Sequence, residues 1–276
     1  MVSRGNENTV KTWVAPALGS TLFLRATYKT HRFERHYHEE FAIGIIESGV
    51  QAFTFDRAQR MDMPEGVVSL ISPGIVHEGW PGGEEGWAYR MLYPSFDDLA
   101  TASMDIFGKV PTGFRSPVVH DPSLYGKICN LHVACEEHPH DGLMIESLYL
   151  DVVNFALVSH ASFAPPPKGT VHAEAMRTLR EYLEANYQEA PTLDELRGIA
   201  DMSKFHLLRQ FKSVFGLPPH AYLRQIRIHR ARSLILTGMS LVDVAATVGF
   251  ADQAHMTRAF RRSYGFTPGA LLNTRD

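Results

Sequence analysis

Two stretches near the C-terminus decide the fold. The first is Ser203-Lys204-Phe205-His206-Leu207-Leu208-Arg209-Gln210-Phe211-Lys212, closed by Phe215-Gly216 and Pro219. The second is Asp252-Gln253-Ala254-His255-Met256-Thr257-Arg258-Ala259-Phe260-Arg261, closed by Tyr264-Gly265 and Pro268. At a constant offset of 49 residues the N-cap types Ser203 and Asp252 coincide, as do Arg209 and Arg258, and Phe211-Lys212 and Phe260-Arg261. The segments in front match at an offset of 48: Leu193 with Leu241, Leu196 with Val244, Ala200 with Val248. The second copy therefore carries one extra residue in its turn, at Gly249-Phe250-Ala251. Each copy reads as a short helix, a turn and a second helix with a basic outer face, the layout of a helix-turn-helix. One amphipathic helix pair is ordinary core material, whereas two in register identify a duplicated unit.

Working outward, every connection near this repeat is helical. Residues 171–187 are amphipathic, and Thr192-Leu193-Asp194-Glu195 is a capping box, with a hydroxyl at N-cap and a carboxylate at N3. Pro219 opens a long helix to about residue 236, with Gly238 as its stop, and Ser240 caps a further short helix. About 18 residues of connecting helix span ~27 Å at 1.5 Å per residue. With lateral offsets, that separates two recognition helices by nearly the ~34 Å between successive major-groove turns on one face of DNA.

The chain has 276 residues and a net charge of −3, but the charge is unevenly spread. Residues 1–170 hold 13 Lys+Arg against 20 Asp+Glu, while 203–275 hold 11 against only Asp243 and Asp252. An acidic half joined to a basic one assigns a polyanion to the second half. The seam is Ala161-Ser162-Phe163-Ala164-Pro165-Pro166-Pro167-Lys168-Gly169, since consecutive prolines cannot continue a helix. The organisation expected is a first domain over 1–160, a Pro-rich linker over 161–169 and an all-α domain over 170–276. No run approaches the ~18 consecutive apolar residues of a membrane span. Residues 1–11 lack a signal-peptide core, and Cys129 and Cys135 suit reduced thiols, so a cytoplasmic protein without membrane contact is expected. No nucleophile elbow, phosphate loop or paired-cysteine motif supports a hydrolase, kinase or dehydrogenase.

Before the seam, short Val-, Ile-, Phe- and Tyr-rich runs read as strands: 21–27, 40–46, 50–56, 67–71 and 87–93. Turns are expected at Ser48-Gly49, Pro64-Glu65-Gly66, Ser72-Pro73-Gly74 and Pro81-Gly82-Gly83. Closely spaced short strands suggest a sandwich or barrel. From Pro122 helices follow at 123–137 and 143–160. The second has Ile145, Leu148, Tyr149, Val152, Phe155, Ala156 and Ser159 on one face and offers a candidate dimer seam.

With these residues in hand, 192–271 resembles the DNA-binding domain of the AraC/XylS family of bacterial transcription regulators. The motifs are Met202-Ser203-Lys204-Phe205-His206-Leu207 with Arg209 and Phe211-Lys212, then Arg227-Ile228, Ala231-Arg232 and Leu234. Val244-Ala245, Val248-Gly249-Phe250, Phe260-Arg261 and Tyr264-Gly265-Phe266-Thr267-Pro268 complete them. Arg197 departs from the family's small alanine. The resemblance places base-reading positions on Phe205, His206, Leu208 and Arg209 in the first unit, and on Gln253, Ala254, His255, Thr257 and Arg258 in the second. Arginine suits guanine and Gln suits adenine in bidentate pairs. Lys204, Lys212, Arg261 and Arg262 are candidate phosphate clamps, and Leu207, Phe211, Met256 and Phe260 read as core.

In the first half, His36-Tyr37-His38-Glu39-Glu40 and Ser72-Pro73-Gly74-Ile75-Val76-His77 resemble a cupin-like barrel, the N-terminal sensor common in the same family. Residues two apart in a strand share a face, so His36 and His38 are grouped, and His77 joins them from the neighbouring turn. Three such histidines can hold Zn²⁺, Fe²⁺ or Mn²⁺. The catalytic cupin pattern wants a Glu about four residues after the second His, where Phe41-Ala42-Ile43 stands instead, leaving Glu40 as a substitute. Candidate effector contacts are His36, His38, His77, Glu40, Trp80, Tyr89 and Arg90. No cofactor is expected, and a divalent metal on His36, His38 and His77 is the minority reading.

The resemblance implies a sequence-specific transcription factor, an activator rather than an enzyme, that binds double-stranded DNA as a homodimer. It would meet RNA polymerase at its promoters and respond to a small-molecule effector in the barrel. The alternatives are a metal-dependent cupin enzyme fused to a DNA-binding domain and a constitutive DNA-binding dimer without effector.

Overall fold

A computed structural model describes residues 8–19, 21–55, 60–163, 173–189 and 191–272. Contacts divide the chain into two compact units near residue 165, with the short stretch 34–36 grouped with the second. Residues 164–172, which hold the three prolines expected as linker, lie outside the described residues.

The first unit begins with eight strands. They are β1 (Thr9–Val14), β2 (Leu22–Tyr28), β3 (Phe33–His36), β4 (Ala42–Phe55), β5 (Met61–Pro64), β6 (Val68–Ile71), β7 (His77–Pro81) and β8 (Trp87–Tyr93). Helix α1 (Phe96–Phe107), strands β9 (Gly113–Phe114) and β10 (Val118–Val119), helices α2 (Pro122–Glu137) and α3 (Gly142–His160) and strand β11 (Ala161–Ser162) follow. The pairing order is β1-β2-β8-β4-β6-β10, with β5 and β7 also on β4 and β3 on β7.

Strand β4 is the hinge of this barrel-like sheet. Its first half lies between β6 and β8, and its second half between β5 and β7. The change falls at a bulge between Ile46 and Ser48, since an extra residue bends a strand and steepens its twist. This corrects the expectation of two strands parted by a Ser48-Gly49 turn. Gly49 has φ +74°, and a Cβ there would sit 2.2 Å from the Gly86 carbonyl oxygen, so glycine is required.

Alternation along the sheet separates two faces. Phe23, Ile43, Ile45, Val68, Leu70 and Leu92 point to one side and form a continuous core with Leu124, Ile128 and Leu131 of α2 and Ile145, Val152 and Leu157 of α3. Burying each such side chain contributes roughly 1.5–3 kcal/mol. The helical face read from the sequence of α3 is thus turned into this core through Ile145, Tyr149, Val152 and Ala156, whereas Leu143, Leu150 and Val158 are exposed. By length and composition alone α3 is apolar enough to cross a membrane, yet one of its faces is committed to the core. Helix α1 was not expected. Ser95 caps it in a reciprocal box with Asp98. Residues 161–162, expected as linker, instead pair with β9 as β11.

The second unit contains α4 (Ala173–Ala185), α5 (Leu193–Ala200), α6 (Lys204–Phe215), α7 (Pro219–Thr237), α8 (Leu241–Thr247), α9 (Gln253–Tyr264) and α10 (Gly269–Leu272). Thr192 and Glu195 close the capping box, with the Thr192 amide donating to the Glu195 carboxylate at 2.6 Å. Ser203, Ser240 and Asp252 cap α6, α8 and α9 through the backbone N–H three residues on. The repeat is reproduced in the packing. Leu207, Phe211 and their counterparts Met256 and Phe260 are fully buried. The ring pairs Phe211–Phe215 and Phe260–Tyr264 both lie 4.6 Å apart.

Candidate functional site

In each helix-turn-helix unit the second helix turns one face inward and leaves the other in solvent. On α6, Leu208, Arg209 and Lys212 are exposed and His206 is half-buried; the side chain of Phe205 lies outside the described set. On α9, Gln253, Ala254, His255, Arg258, Arg261 and Arg262 are exposed and Thr257 is half-buried, while Met256, Ala259 and Phe260 face the core. Arg209, Lys212, Arg258 and Arg261 enter no ion pair among the described residues. Paired exposed cations on two equivalent helices suit a polyanion whose phosphates recur along a groove.

Lys204 is arranged differently. Its Nζ lies 2.6 Å from Asp194 Oδ2, and Arg197 reaches the other oxygen of the same carboxylate at 3.7 Å. The Lys204 hydrogen bond holds the Asp194 carboxyl below its ordinary range. Arg197 therefore projects into solvent rather than into the packing occupied by its counterpart Ala245. Asp194 was not singled out from the sequence, although its place at N2 of α5 beside the α5–α6 turn signals such a role.

Arg227 fixes the frame from the other side. Its Nε and one terminal nitrogen donate to the Tyr187 and Glu189 carbonyls at 2.7 and 2.6 Å. Next to that loop, Gly249 takes φ +82°, and a Cβ there would meet the Gln188 carbonyl oxygen at 2.4 Å. This close approach explains why glycine stands in the longer turn of the second copy.

The structure brings His36, His38 and His77 together. His36 ends β3 and His77 opens β7, its partner strand. His77 is thus a strand residue, not a turn residue. The Gly74 amide donates to the His38 carbonyl at 2.8 Å and ties that residue to the turn before β7. One nitrogen from each ring lies within 4.8 Å of the other two, and all three residues are buried. His36 Nδ1 and His77 Nδ1 contact the carbonyls of Glu34 and Ile75 at 2.7 and 2.9 Å. Burial pulls the His77 imidazole down to about 4, against the opposing effect of the Ile75 carbonyl.

The surroundings are aromatic. Tyr93 packs edge-on to His38 at 5.3 Å, and Tyr28, Trp87 and Tyr89 form a continuous ring cluster on the same sheet face. Burial raises the Tyr89 and Tyr93 hydroxyls above their usual range, so both stay protonated donors. Tyr93 is the residue that sequence reasoning missed, although its period-two spacing from Tyr89 would have placed it.

Three other residues expected in the pocket stand elsewhere. Arg90 points to the opposite face, as alternation with Tyr89 requires, and bonds Glu47 at 2.7 Å and Glu136 of α2 at 3.3 Å. Trp80, three residues beyond His77, lies on the other side of β7, with the Arg32 guanidinium 4.7 Å from its ring centre. Glu40 is outside the histidine cluster.

Known proteins resemble both units. The profile of the AraC-like ligand binding domain matches residues 18–153, and a helix-turn-helix domain profile matches 198–274. The HTH-type transcriptional regulator YbfI of Bacillus subtilis is 30% identical over 232 residues, covering 82% of each chain. The HTH-type transcriptional activator RhaS of Yersinia pestis is 26% identical over 87% of this chain and 89% of its own. Among solved structures, ToxT from Vibrio cholerae O395 bound to (E)-4-(8-methylnaphthalen-1-yl)but-3-enoic acid superposes with a TM-score of 0.58. It covers 97% of this chain and 98% of that one at 12% identity, a likeness of fold.

Proposed function

This chain belongs to the AraC family of transcriptional regulators, and from that premise we propose how it reads DNA and what it senses. It is a DNA-binding regulator with an N-terminal ligand-binding domain. Arg209 and Arg258 read base edges from equivalent places on α6 and α9, while Lys212, Arg261 and Arg262 contact phosphates. Lys204 joins them only after leaving Asp194.

The effector binds on the sheet face that carries His36, His38, His77, Tyr89 and Tyr93. Three imidazoles and two phenol donors among apolar rings suit a small molecule with an aromatic or aliphatic body and one polar end. The ToxT ligand, an aryl-substituted butenoic acid, has that form. Two copies join through the exposed Leu143, Leu150 and Val158 of α3, and the dimer activates transcription in the cytoplasm through RNA polymerase. The barrel senses rather than catalyses.

The observation that carries this reading is the exposure of matching arginines on two equivalent capped helices. It is tested by selecting duplexes from a random pool with the full-length protein. Recovery of a bipartite motif whose two parts are about one helical turn apart is the expected result. A pool that stays unenriched while binding weakens equally for all sequences in salt would overturn it.

A further inference from the structure

We propose that His36, His38 and His77 form a mononuclear site for a divalent first-row transition ion, with one coordination position left to an anionic oxygen donor of the effector. The site deepens the sensing role proposed above, but its existence does not depend on the DNA-binding reading.

Geometry carries the proposal. Three imidazoles from separate backbone positions offer one nitrogen each within a mutual 4.8 Å, in a buried place. Nitrogen ligands at ~2.0–2.1 Å around a tetrahedral ion stand roughly 3.4 Å apart, so no pair of these nitrogens need close by more than about 1.4 Å. The rings are also oriented in advance. His36 and His77 each place Nδ1 against the carbonyl two residues earlier. Since a carbonyl only accepts, Nδ1 carries the proton in both rings and Nε2 carries the lone pair. A ligating histidine characteristically donates its other N–H to a carbonyl in this way, which fixes the tautomer and the ring plane.

The donor set also indicates which ion and which ligand fit. Three neutral nitrogens suit Zn²⁺, Fe²⁺, Ni²⁺ or Cu²⁺ rather than Mg²⁺ or Ca²⁺, which take oxygen. With Glu40 outside the cluster, no carboxylate of this group offsets the ion's charge. The open position therefore favours a carboxylate, enolate or similar oxyanion.

The test uses full-length protein stripped with a chelator and titrated with Co²⁺, a spectroscopic stand-in for Zn²⁺. The expected result is one ion per chain with the visible absorption of a tetrahedral nitrogen-rich site, followed by a spectral shift when azide is added. His38→Gln, which leaves both carbonyl-bonded rings in place, should weaken binding by at least about tenfold. The triple His→Gln variant should abolish the band. Trp13, Trp80 and Trp87 all lie in the first unit, so tryptophan fluorescence reports whether each variant remains folded. Parent protein that shows no saturable Co²⁺ band overturns the site without recourse to any variant. An unchanged band in the folded triple variant does the same. A band insensitive to azide overturns the open position. Gel-shift binding to a selected duplex, measured in parallel, separates loss of metal from loss of DNA recognition.

Discussion

His132 has no exposed surface, and its ring lies edge-on against the stacked pair Trp13 and Phe23, with centroids 5.5 and 5.2 Å away. Neither ring nitrogen finds a hydrogen-bond partner among the described residues. Burial, and then the nearby Arg90 and Arg25 guanidiniums, hold its imidazole well below the ordinary 6.5. In the unfolded chain the same ring titrates normally, so below pH 6.5 the unfolded state binds a proton that the native state refuses. Stability therefore falls as pH falls, by about 1.4 kcal/mol per unit once the unfolded ring is protonated. Between pH 7.5 and 5.0, with the native ring neutral throughout, the loss is about 2 kcal/mol. His132→Leu removes the titration and keeps the site apolar. Urea unfolding of the full chain, followed by tryptophan fluorescence, isolates the first unit. At an m-value of about 2 kcal/mol/M, the parent's midpoint should drop by about 1 M more than the variant's across this pH range. His77 and the carboxylates titrate in both proteins and cancel. Equal drops would show that His132 is protonated in the native state and refute the reasoning.

Three further outcomes are expected. Arg258→Ala should reduce discrimination between selected and scrambled duplexes by about 5- to 150-fold, the equivalent of 1–3 kcal/mol for a lost bidentate pair, whereas Arg261→Ala should weaken both duplexes alike and lower the salt slope by about 0.9. An Arg258→Ala protein with undiminished preference would remove it from the readers. Asp194→Asn should free Lys204 and raise affinity for unrelated duplexes with a steeper salt dependence, measured by anisotropy; unchanged salt dependence would leave Lys204 without a DNA contact. Gly249→Ala should destabilise the helical unit by about 2 kcal/mol, from left-handed backbone strain and the Gln188 carbonyl, read as an earlier far-ultraviolet thermal transition.

The helical unit was legible in the sequence because its signals are local and occur twice. Thr192, Ser203, Ser240 and Asp252 cap helices wherever they stand, and Gly216, Gly238 and Gly265 end them in the left-handed conformation. The barrel was legible only in part, because its signals are not local. Ser48-Gly49 has turn chemistry but serves a bulge, and only the pairing of Gly49 with Trp87 and the Val50 amide's bond to the Gly86 carbonyl tell the two apart. The Ser95–Asp98 box that starts α1 was available but lay in a region dominated by strand residues. Arg90 and Trp80 were misplaced for a simpler reason. Period two already assigns Arg90 and Tyr89 to opposite faces, and a charged neighbour was grouped with an aromatic one by proximity in sequence.

Helix α7 belongs to neither copy of the repeat and packs against α6, α8 and α9. Its buried residues run along its whole length, from Pro219 to Ile235, so each helix-turn-helix borrows part of its core from the same rod. This limits how the protein can be re-engineered. Changing the solvent-facing residues of α6 or α9 alters what is read while leaving the rod untouched. Exchanging an entire copy for one from a relative brings a core that was fitted to a different rod. Swaps of binding specificity should therefore succeed residue by residue and fail module by module, unless α7 travels with the graft.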